Sequence, residues 1–258
     1  MGRVLLSLFL FLSLALPVFA VDYTSDANCQ GAWLIEEGEG TSVADDSQNT
    51  NNLGFAGDPT WATATPAAAY STSYLSFDGD DRLSASYDAS LAPTGALSLV
   101  TWARRPAKDV DDGLIGFGER NSNGYMLRWY SNNAVLIYLL GEDGGAWHNA
   151  TIGADDVATW VHFVFCYDGA VDGVATAYKN GVEAKGGDNL SGDGLIVYDN
   201  DETFYLAYSQ AGQGAYFTGD MDESAVFSDI ITLTEASDIY DNGLYEASAA
   251  AGQVIMIF

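Results

Sequence analysis

The most informative run in the chain is Trp160-Val161-His162-Phe163-Val164-Phe165-Cys166-Tyr167, which is apolar at nearly every position. A strand with one face in water alternates apolar and polar side chains, whereas a strand covered on both faces is apolar throughout. We therefore expect residues 158–168 to form a strand in the middle of a sheet. His162, enclosed in that run, is expected to be a core histidine with a hydrogen-bonded ring.

Similar aromatic and β-branched runs, bounded by Gly, Asp and Asn, recur along the chain, and a helical period is almost absent. This rhythm is typical of an all-β sandwich or barrel. Asn180-Gly181 lies between two short extended runs and predicts a type I′ hairpin. One short surface helix is expected near the C-terminus, capped by Thr234 and ended by Gly243. The other predicted strands are 31–37, 73–78, 96–104, 113–118, 124–130, 134–140, 172–179, 203–209 and 216–227.

The two ends of the chain differ from its middle. Residues 1–20 have the pattern of a secretory signal peptide, with Arg3 before an apolar run and Ala20 at the cleavage site. We expect a secreted protein with one jelly-roll domain over residues 21–246 and an apolar tail over residues 247–258. Residues 41–69 lack periodicity and predict a long loop. No later stretch is long enough for a membrane helix, so no membrane span is expected.

The charge balance restricts the class of partner. Lys and Arg number 9 against 36 Asp and Glu, which gives a formal net charge of -27 at pH 7. Such a surface repels nucleic acid and anionic membranes, so neither is expected as a partner. Cations are the partners that this charge favours.

The chain has two cysteines, Cys29 and Cys166, and neither has the spacing of a metal-ligand motif. An oxidising compartment allows one disulfide between them. Two buried free thiols are the alternative, and the sequence leaves both open because it does not show whether the cysteines meet.

Six motifs follow one another in an order that resembles a known family. They are 32–41 (AWLIEEGEGT), 74–81 (YLSFDGDD), 97–102 (LSLVTW), 160–163 (WVHF), 178–181 (YKNG) and 219–223 (GDMDE). This series resembles laminin-G-like jelly-roll domains of the concanavalin A-like lectin/glucanase superfamily. The resemblance implies an all-β fold, an antiparallel two-sheet jelly-roll sandwich with one short C-terminal helix. It does not imply an activity, because this sandwich carries lectins, adhesion modules, carbohydrate-binding domains and hydrolases alike.

A hydrolase of this fold resembles a retaining glycosidase with carboxylates at alternate positions of a central strand. The nearest candidate is the run from Asp220 to Ser224. Strict alternation would place Asp220, Asp222 and Ser224 on one face and Glu223 on the other, so that the shared face lacks a third carboxylate. We therefore expect no enzymatic activity.

Two acidic clusters are candidates for a metal site. Ca²⁺ takes six to eight oxygen ligands, and the resembled family often holds a calcium ion near these segments. Ordinary solvated acidic turns are the alternative. The predicted calcium ligands are Asp78, Asp80, Asp81, Asp220 and Asp222.

Aromatic side chains on neighbouring strands are candidates for a ligand surface, since exposed rings beside polar groups commonly line a binding groove. Alternation predicts that about half of them point into the core. The candidates are Tyr125, Trp129, Tyr130, Tyr138 and Trp147.

Three functional hypotheses follow. The first is a secreted, non-catalytic module that binds carbohydrate or a surface glycoconjugate and holds structural calcium. The second is a structural or assembly protein of a cell surface, matrix or filament, and the third is a glycoside hydrolase. The apolar segment 253–258 bears on the second, because it either packs on its own domain or joins a neighbour to form a homo-oligomer.

Overall fold

The computed structural model describes residues 21–245, apart from gaps at 64–70, 108–111, 119–122, 131–133, 142–143, 152–156, 171–173, 190–193, 200 and 211–213. It gives the backbone alone for residues 134–138, 140–141, 144–151 and 185–189. The predicted signal peptide, residues 1–20, and the predicted tail, residues 247–258, lie outside the described part. Within it, no helix has the length and apolar character needed to cross a membrane.

The described chain forms two large antiparallel sheets and one short helix, which confirms the predicted jelly-roll sandwich. The strands are β1 (Cys29–Trp33), β2 (Ser42–Val43), β3 (Leu53–Ala56), β4 (Thr60–Ala62), β5 (Tyr74–Asp78), β6 (Arg82–Ser86), β7 (Leu97–Arg104), β8 (Asp112–Phe117), β9 (Tyr125–Trp129), β10 (Ala134–Gly141), β11 (Gly144–Thr151), β12 (Val161–Tyr167), β13 (Val174–Lys179), β14 (Val182–Asn189), β15 (Thr203–Leu206), β16 (Tyr208–Ser209), β17 (Ala215–Tyr216) and β18 (Thr218–Phe227).

The first sheet has the order β14-β13-β12-β7-β18-β5-β4, and β1 also pairs with β18. The second has the order β11-β10-β9-β8-β15-β6-β3-β2. Strand β12 lies inside the first sheet, as predicted, and both of its faces are buried. Phe163 and Phe165 belong to the core between the sheets, whereas Val164 and Cys166 belong to a second apolar layer. Helix α1 (Leu233–Asn242) covers that outer layer.

The predicted turn and helix are both present. Asn180 and Gly181 have φ angles of 50° and 71°, and they join β13 to β14. The left-handed φ at both positions is the signature of a type I′ hairpin. Helix α1 ends at Gly243, as expected, but its cap is Thr232 and not Thr234. Thr232 is the N-cap because Glu235, three residues later, forms a capping box with it.

The prediction of a long loop over residues 41–69 is wrong in part, because β2, β3 and β4 lie within it. Strands β2 and β3 close the edge of the second sheet beside β6, and β4 closes the edge of the first. Each has only two to four residues, which is too short to display a period in the sequence.

A β-bulge at Glu223 overturns the predicted alternation of β18. Asp222 is paired with Trp102, yet Ser224 is already paired with Thr101, so Glu223 is an extra residue in the ladder. A bulge of this kind shifts every later side chain to the opposite face. Ser224 therefore bonds to Thr101 on the inner face, and it does not share a face with Asp222.

Both cysteines are buried free thiols, so the second of the two alternatives describes the structure. The strand order explains why. Cys29 is in register with Phe227, Phe227 with Ser98, and Ser98 with Cys166, which puts two strands between the sulfur atoms. Three inter-strand steps amount to about 14 Å, far more than the roughly 4–7 Å between the Cα atoms of a disulfide.

Candidate functional site

Two of the predicted ligand-binding aromatics are core residues. Tyr125 and Trp129 have 0% and 1% of their surface exposed. They share a strand face with Leu127, which packs in the same core, and the Tyr125 hydroxyl donates to the carbonyl of Leu91 at 2.9 Å. The assignment of these two rings to a ligand surface is therefore wrong, since alternation along β9 points both inward.

The other three predicted aromatics lie toward the edge of the same sheet. Tyr130 is half-buried, with the guanidinium of Arg128 5.3 Å from its ring. Tyr138 and Trp147 face each other in the β10–β11 register. The side chains of these last two lie outside the described part of the chain, so their role stays a prediction.

A different set of tyrosines collects on the outer face of the second sheet. Strand β15 ends at Leu206, and Ala207, at φ 60°, turns the chain sharply. The short pair β16–β17 then lies as a flap over β8. Glycines make this possible, because a Cβ at Gly116 would stand 2.9 Å from the carbonyl oxygen of Tyr208, and one at Gly113 would meet the backbone of Ser209.

We call the resulting group the tyrosine–arginine cluster: Arg82, Tyr205, Tyr208 and Tyr216. The guanidinium carbon of Arg82 is 5.5, 5.2 and 5.7 Å from the ring centres of Tyr205, Tyr208 and Tyr216. The Tyr208 ring centre is 4.9 Å from that of Tyr205 and 4.7 Å from that of Tyr216. All four side chains are half-buried, so one side of the cluster faces solvent.

Some polar groups of this cluster already form hydrogen bonds within the protein, and others do not. Arg82 donates from Nη1 to the Tyr216 hydroxyl at 2.5 Å. Within the described part of the chain, none of the three tyrosine hydroxyls donates a hydrogen bond to the protein. Burial, followed by the two neighbouring tyrosines, raises the pKa of Tyr208, so its hydroxyl stays protonated. The hydroxyl protons are therefore available to a ligand.

An acidic turn adjoins this cluster along the chain. Ligand oxygens of Asp58, Asp80 and Asp81 lie within 4.8 Å of one another. Asp81 is buried, and its two oxygens accept the N–H groups of Asp58, at 2.7 Å, and Asp78. A hydrogen bond to Asp78, followed by the negative charge there, raises the pKa of Asp80.

Asp220 and Asp222, the other two predicted calcium ligands, do not belong to that group. Asp220 forms an ion pair with Arg104 at 2.8 Å and accepts from Ser76. Asp222 is fully buried and accepts from the hydroxyl of Ser71 at 3.1 Å. The structure therefore brings Asp78, Asp80 and Asp81 together with Asp58, and it holds Asp220 and Asp222 on the outer face of the first sheet.

Two titratable groups in that outer layer have strongly shifted pKa values. Burial raises the pKa of Glu223 to about 8, and its carboxylate accepts the N–H of Leu244 at 3.0 Å. Burial lowers the pKa of His162 to about 3. The prediction of a hydrogen-bonded ring is wrong, because neither ring nitrogen has a hydrogen-bond partner among the described residues. The ring packs instead against Trp102, at 4.9 Å, and Tyr240.

A large open groove of about 1070 Å³ lies between the N-terminal segment, the Asn180–Gly181 turn and helix α1. Its exposed apolar side chains are Val21, Val182 and Leu233, at 47%, 66% and 47% exposure. Carboxylates surround them: Asp22, Asp26, Glu183, Glu235, Asp238 and Asp241. Among the described residues that line the groove, none presents an exposed aromatic ring, so their chemistry differs from that of the tyrosine–arginine cluster.

Sequence reasoning missed Asp58, Arg82 and the three tyrosines of the cluster. The residues come from segments more than a hundred positions apart, and no local motif connects them. Two signals were present in the sequence. One is the density of tyrosine between residues 205 and 216, and the other is a single arginine directly after an acidic turn.

The comparison with protein families gives one match. Residues 77–237, more than half of the chain, match a family described as the concanavalin A-like lectin/glucanases superfamily. A search of curated proteins finds no match to this sequence.

Solved structures share the fold at low sequence identity. Domain 4 of AbnA, an extracellular arabinanase of Geobacillus stearothermophilus solved with arabinotriose, has a TM-score of 0.63 at 15% identity, over 84% of this chain and 100% of that one. The binding domain of botulinum neurotoxin DC, solved with rat synaptotagmin II, has a TM-score of 0.63 at 14% identity, over 84% of this chain and 52% of that one. The binding domain of Paraclostridial Mosquitocidal Protein 1 has a TM-score of 0.56 at 11% identity, over 83% of this chain and 52% of that one. The chain thus spans about half the length of the toxin binding domains.

Proposed function

Because the chain belongs to the concanavalin A-like lectin/glucanases superfamily, we propose that it is a secreted, non-catalytic module that binds carbohydrate or a surface glycoconjugate. The observation that carries this proposal is the tyrosine–arginine cluster. Tyrosine rings offer apolar faces on which a sugar ring can stack, and their hydroxyls hydrogen-bond to sugar oxygens. The arabinotriose-bound relative of the same fold supports a saccharide as the ligand class.

The state of the carboxylates supports a non-catalytic role. A retaining glycosidase needs two accessible carboxyl groups about 5 Å apart across the bond to be cleaved. Asp220 is engaged with Arg104, Asp222 is covered by Ser71, and Glu223 holds the chain that follows helix α1. Because of the bulge at Glu223, alternation along β18 does not decide which carboxylates share a face. The burial and the contacts of these three groups are what support a non-catalytic role.

Calcium at the acidic turn is part of the same proposal. Three carboxylates within 4.8 Å provide hard oxygen ligands, and a bound cation would relieve the repulsion among them. Asp58, Asp80 and Asp81 would hold the ion. Because Asp81 directly precedes Arg82, an ion there would fix the strand that carries the cluster.

A glycan array followed by calorimetric titration tests the proposal. We expect at least one bound glycan, and about tenfold weaker binding by Tyr208→Ala, the loss expected for one aromatic contact. Tyr245→Ala is the matched control, since Tyr245 is exposed and lies outside the cluster. An array without any bound glycan, or equal affinities for the two variants, would contradict the proposal.

We propose assembly as a second candidate function, and the groove is the observation that favours it. Asp22, in the groove wall, forms a β-bridge with Tyr245, after which the apolar tail begins. Tyr245 thus lies beside the groove, and in this second proposal the tail of one copy packs in the groove of another copy, against Val182 and Leu233. Deleting residues 253–258 or changing Val182→Glu should then lower the oligomeric state in size-exclusion chromatography. Leu195→Glu, at another exposed apolar residue outside the groove, should not, and an unchanged elution volume for the first two variants would exclude this contact.

A further inference from the structure

Arg82 differs from two of the other described arginines in having no carboxylate beside it. Arg104 pairs with Asp220, Arg105 lies 3.9 Å from Asp112, and Arg128, which is buried, lies 5.3 Å from the ring of Tyr130. The guanidinium of Arg82 has a tyrosine hydroxyl as its hydrogen-bond partner and no carboxylate partner in the described part of the chain. Asp81, its neighbour in sequence, directs its carboxylate away, toward the N–H groups of Asp58 and Asp78. Although the chain has 36 acidic residues, none of those that the structure describes serves as a counter-ion for Arg82.

The hydrogen-bonding capacity of Arg82 is only partly used. Nε is buried without a partner, Nη1 is held by Tyr216, and Nη2 is neither buried nor bonded to the described protein. The buried Nε bears the cost of a donor without an acceptor, whereas Nη2 is accessible, so an acceptor on a ligand can bind there. The three rings around it fix the orientation of the guanidinium plane, so little freedom remains to be lost when a ligand binds.

We propose that the tyrosine–arginine cluster selects sugars that carry a carboxylate, of the uronic-acid class. A guanidinium recognises a carboxylate through short charge-assisted hydrogen bonds. The sugar ring would stack on the exposed part of Tyr205 or Tyr208 while its carboxylate meets Nη2 of Arg82. Tyr216, whose hydroxyl accepts from Arg82, retains its own proton to donate to the same carboxylate. This inference rests on the proposed glycan-binding function and specifies its substrate class.

The net charge of the protein predicts how the affinity for an acidic oligosaccharide depends on salt. A net charge of -27 repels an anionic oligosaccharide at long range, and about 0.15 M salt screens such interactions beyond roughly 8 Å. The contact with Arg82 is short and partly shielded. Affinity for an acidic oligosaccharide should therefore stay within about twofold, or rise, between 50 and 500 mM NaCl. Non-specific attraction of a polyanion to basic residues falls steeply over that range.

The experiment is a calorimetric comparison of matched pairs at constant millimolar Ca²⁺. The ligands are oligomers of galacturonate, glucuronate and mannuronate, each beside its carboxyl-reduced, neutral counterpart. We expect at least one acidic oligomer to bind ten or more times as tightly as its neutral form. Arg82→Gln should remove that preference, and Arg82→Lys should keep part of it, because an ammonium keeps the charge without the planar donors.

Each outcome decides the point. If the neutral oligomers bind as tightly as the acidic ones, or if only neutral glycans on the array bind, the acidic preference is refuted and the glycan-binding function stands. If no glycan of either kind binds, both are refuted. A preference that persists in Arg82→Gln, with the fold verified by thermal melting, places the carboxylate elsewhere and also refutes the inference. The wild-type comparison needs no variant, so a misfolded Arg82→Gln leaves the test intact.

Discussion

At the residue scale, the bulge in β18 puts the Glu223 carboxyl group inside the protein. Its side chain is almost fully covered, lies beside Gly243 and holds the N–H of Leu244. One extra residue in a strand thus connects the first sheet to the end of helix α1. Sequence alternation does not reveal a bulge, because the run from Asp220 to Ser224 fits an unbroken strand equally well.

The raised pKa of Glu223 predicts a stability that falls as the pH rises. Between its ordinary value of 4.5 and about 8, the folded state binds a proton that the unfolded chain has lost, so unfolding is favoured at higher pH. The loss over this range is on the order of a few kcal/mol. His162 opposes it only weakly above pH 6.5, because with a folded pKa of about 3 its ring is neutral in the folded state and the unfolded chain, with the ordinary pKa of 6.5, has little of its proton left to lose.

Thermal melting between pH 6.5 and 8 tests this prediction. The melting temperature of the wild type should fall across the window. That of Glu223→Gln should fall clearly less, because glutamine has no proton to lose in this range and still offers an acceptor for the N–H of Leu244. Glu183→Gln, at an exposed glutamate, should behave as the wild type. Parallel curves for Glu223→Gln and the wild type would show that this carboxyl group is not the cause.

At the element scale, most of the long strands were predictable, but the eight-residue β11 was not among the predicted strands, and neither were the shorter β2, β3, β4 and β6. Strand β12 is apolar throughout because helix α1 and the inter-sheet core cover its two faces. Strands β2 and β4 are stabilised by pairing at sheet edges, a tertiary effect that leaves no periodic signal. Tyr125 and Trp129 were predicted to bind a ligand because the sequence does not show which face of β9 points into the core. In the structure the face that carries both residues is buried. The tyrosine–arginine cluster forms only when the flap β16–β17 folds back over β8.

The flap predicts a specific effect of one glycine. Gly116→Ala places a Cβ 2.9 Å from the carbonyl oxygen of Tyr208, so the flap must move. We expect a stability loss of about 1–3 kcal/mol and weaker glycan binding, because Tyr208 is displaced. Gly54→Ala in β3 is the control, since its nearest neighbour is 4.0 Å away. Titration and melting of both variants measure the effect, and wild-type affinity in Gly116→Ala would show that the flap does not position the site.

At the scale of the whole molecule, the proposed calcium site predicts a gain in stability. An ion bound by Asp58, Asp80 and Asp81 only in the folded state should stabilise that state by roughly 2.7 kcal/mol when the Ca²⁺ concentration is about a hundred times Kd. For a domain of this size that is on the order of several degrees in melting temperature. Mg²⁺ should do less, because it keeps its waters and requires a stricter geometry.

Asp80→Asn should reduce the calcium shift, and Asp241→Asn, at an exposed aspartate of helix α1, should leave it unchanged. Differential scanning at matched ionic strength compares the two. Equal shifts with Ca²⁺ and Mg²⁺, or a full shift in Asp80→Asn, would mean that the ion does not bind at this turn.

The location of the ligand is the central claim, and hydrogen–deuterium exchange with a saturating glycan measures it directly. The tyrosine–arginine cluster and the groove lie on different parts of the sandwich, so their peptides report separately. Binding at the cluster predicts slower exchange in peptides covering residues 82–86, 203–209 and 214–217. Protection confined to residues 181–183 and 233–241, with the cluster unchanged, would contradict the account.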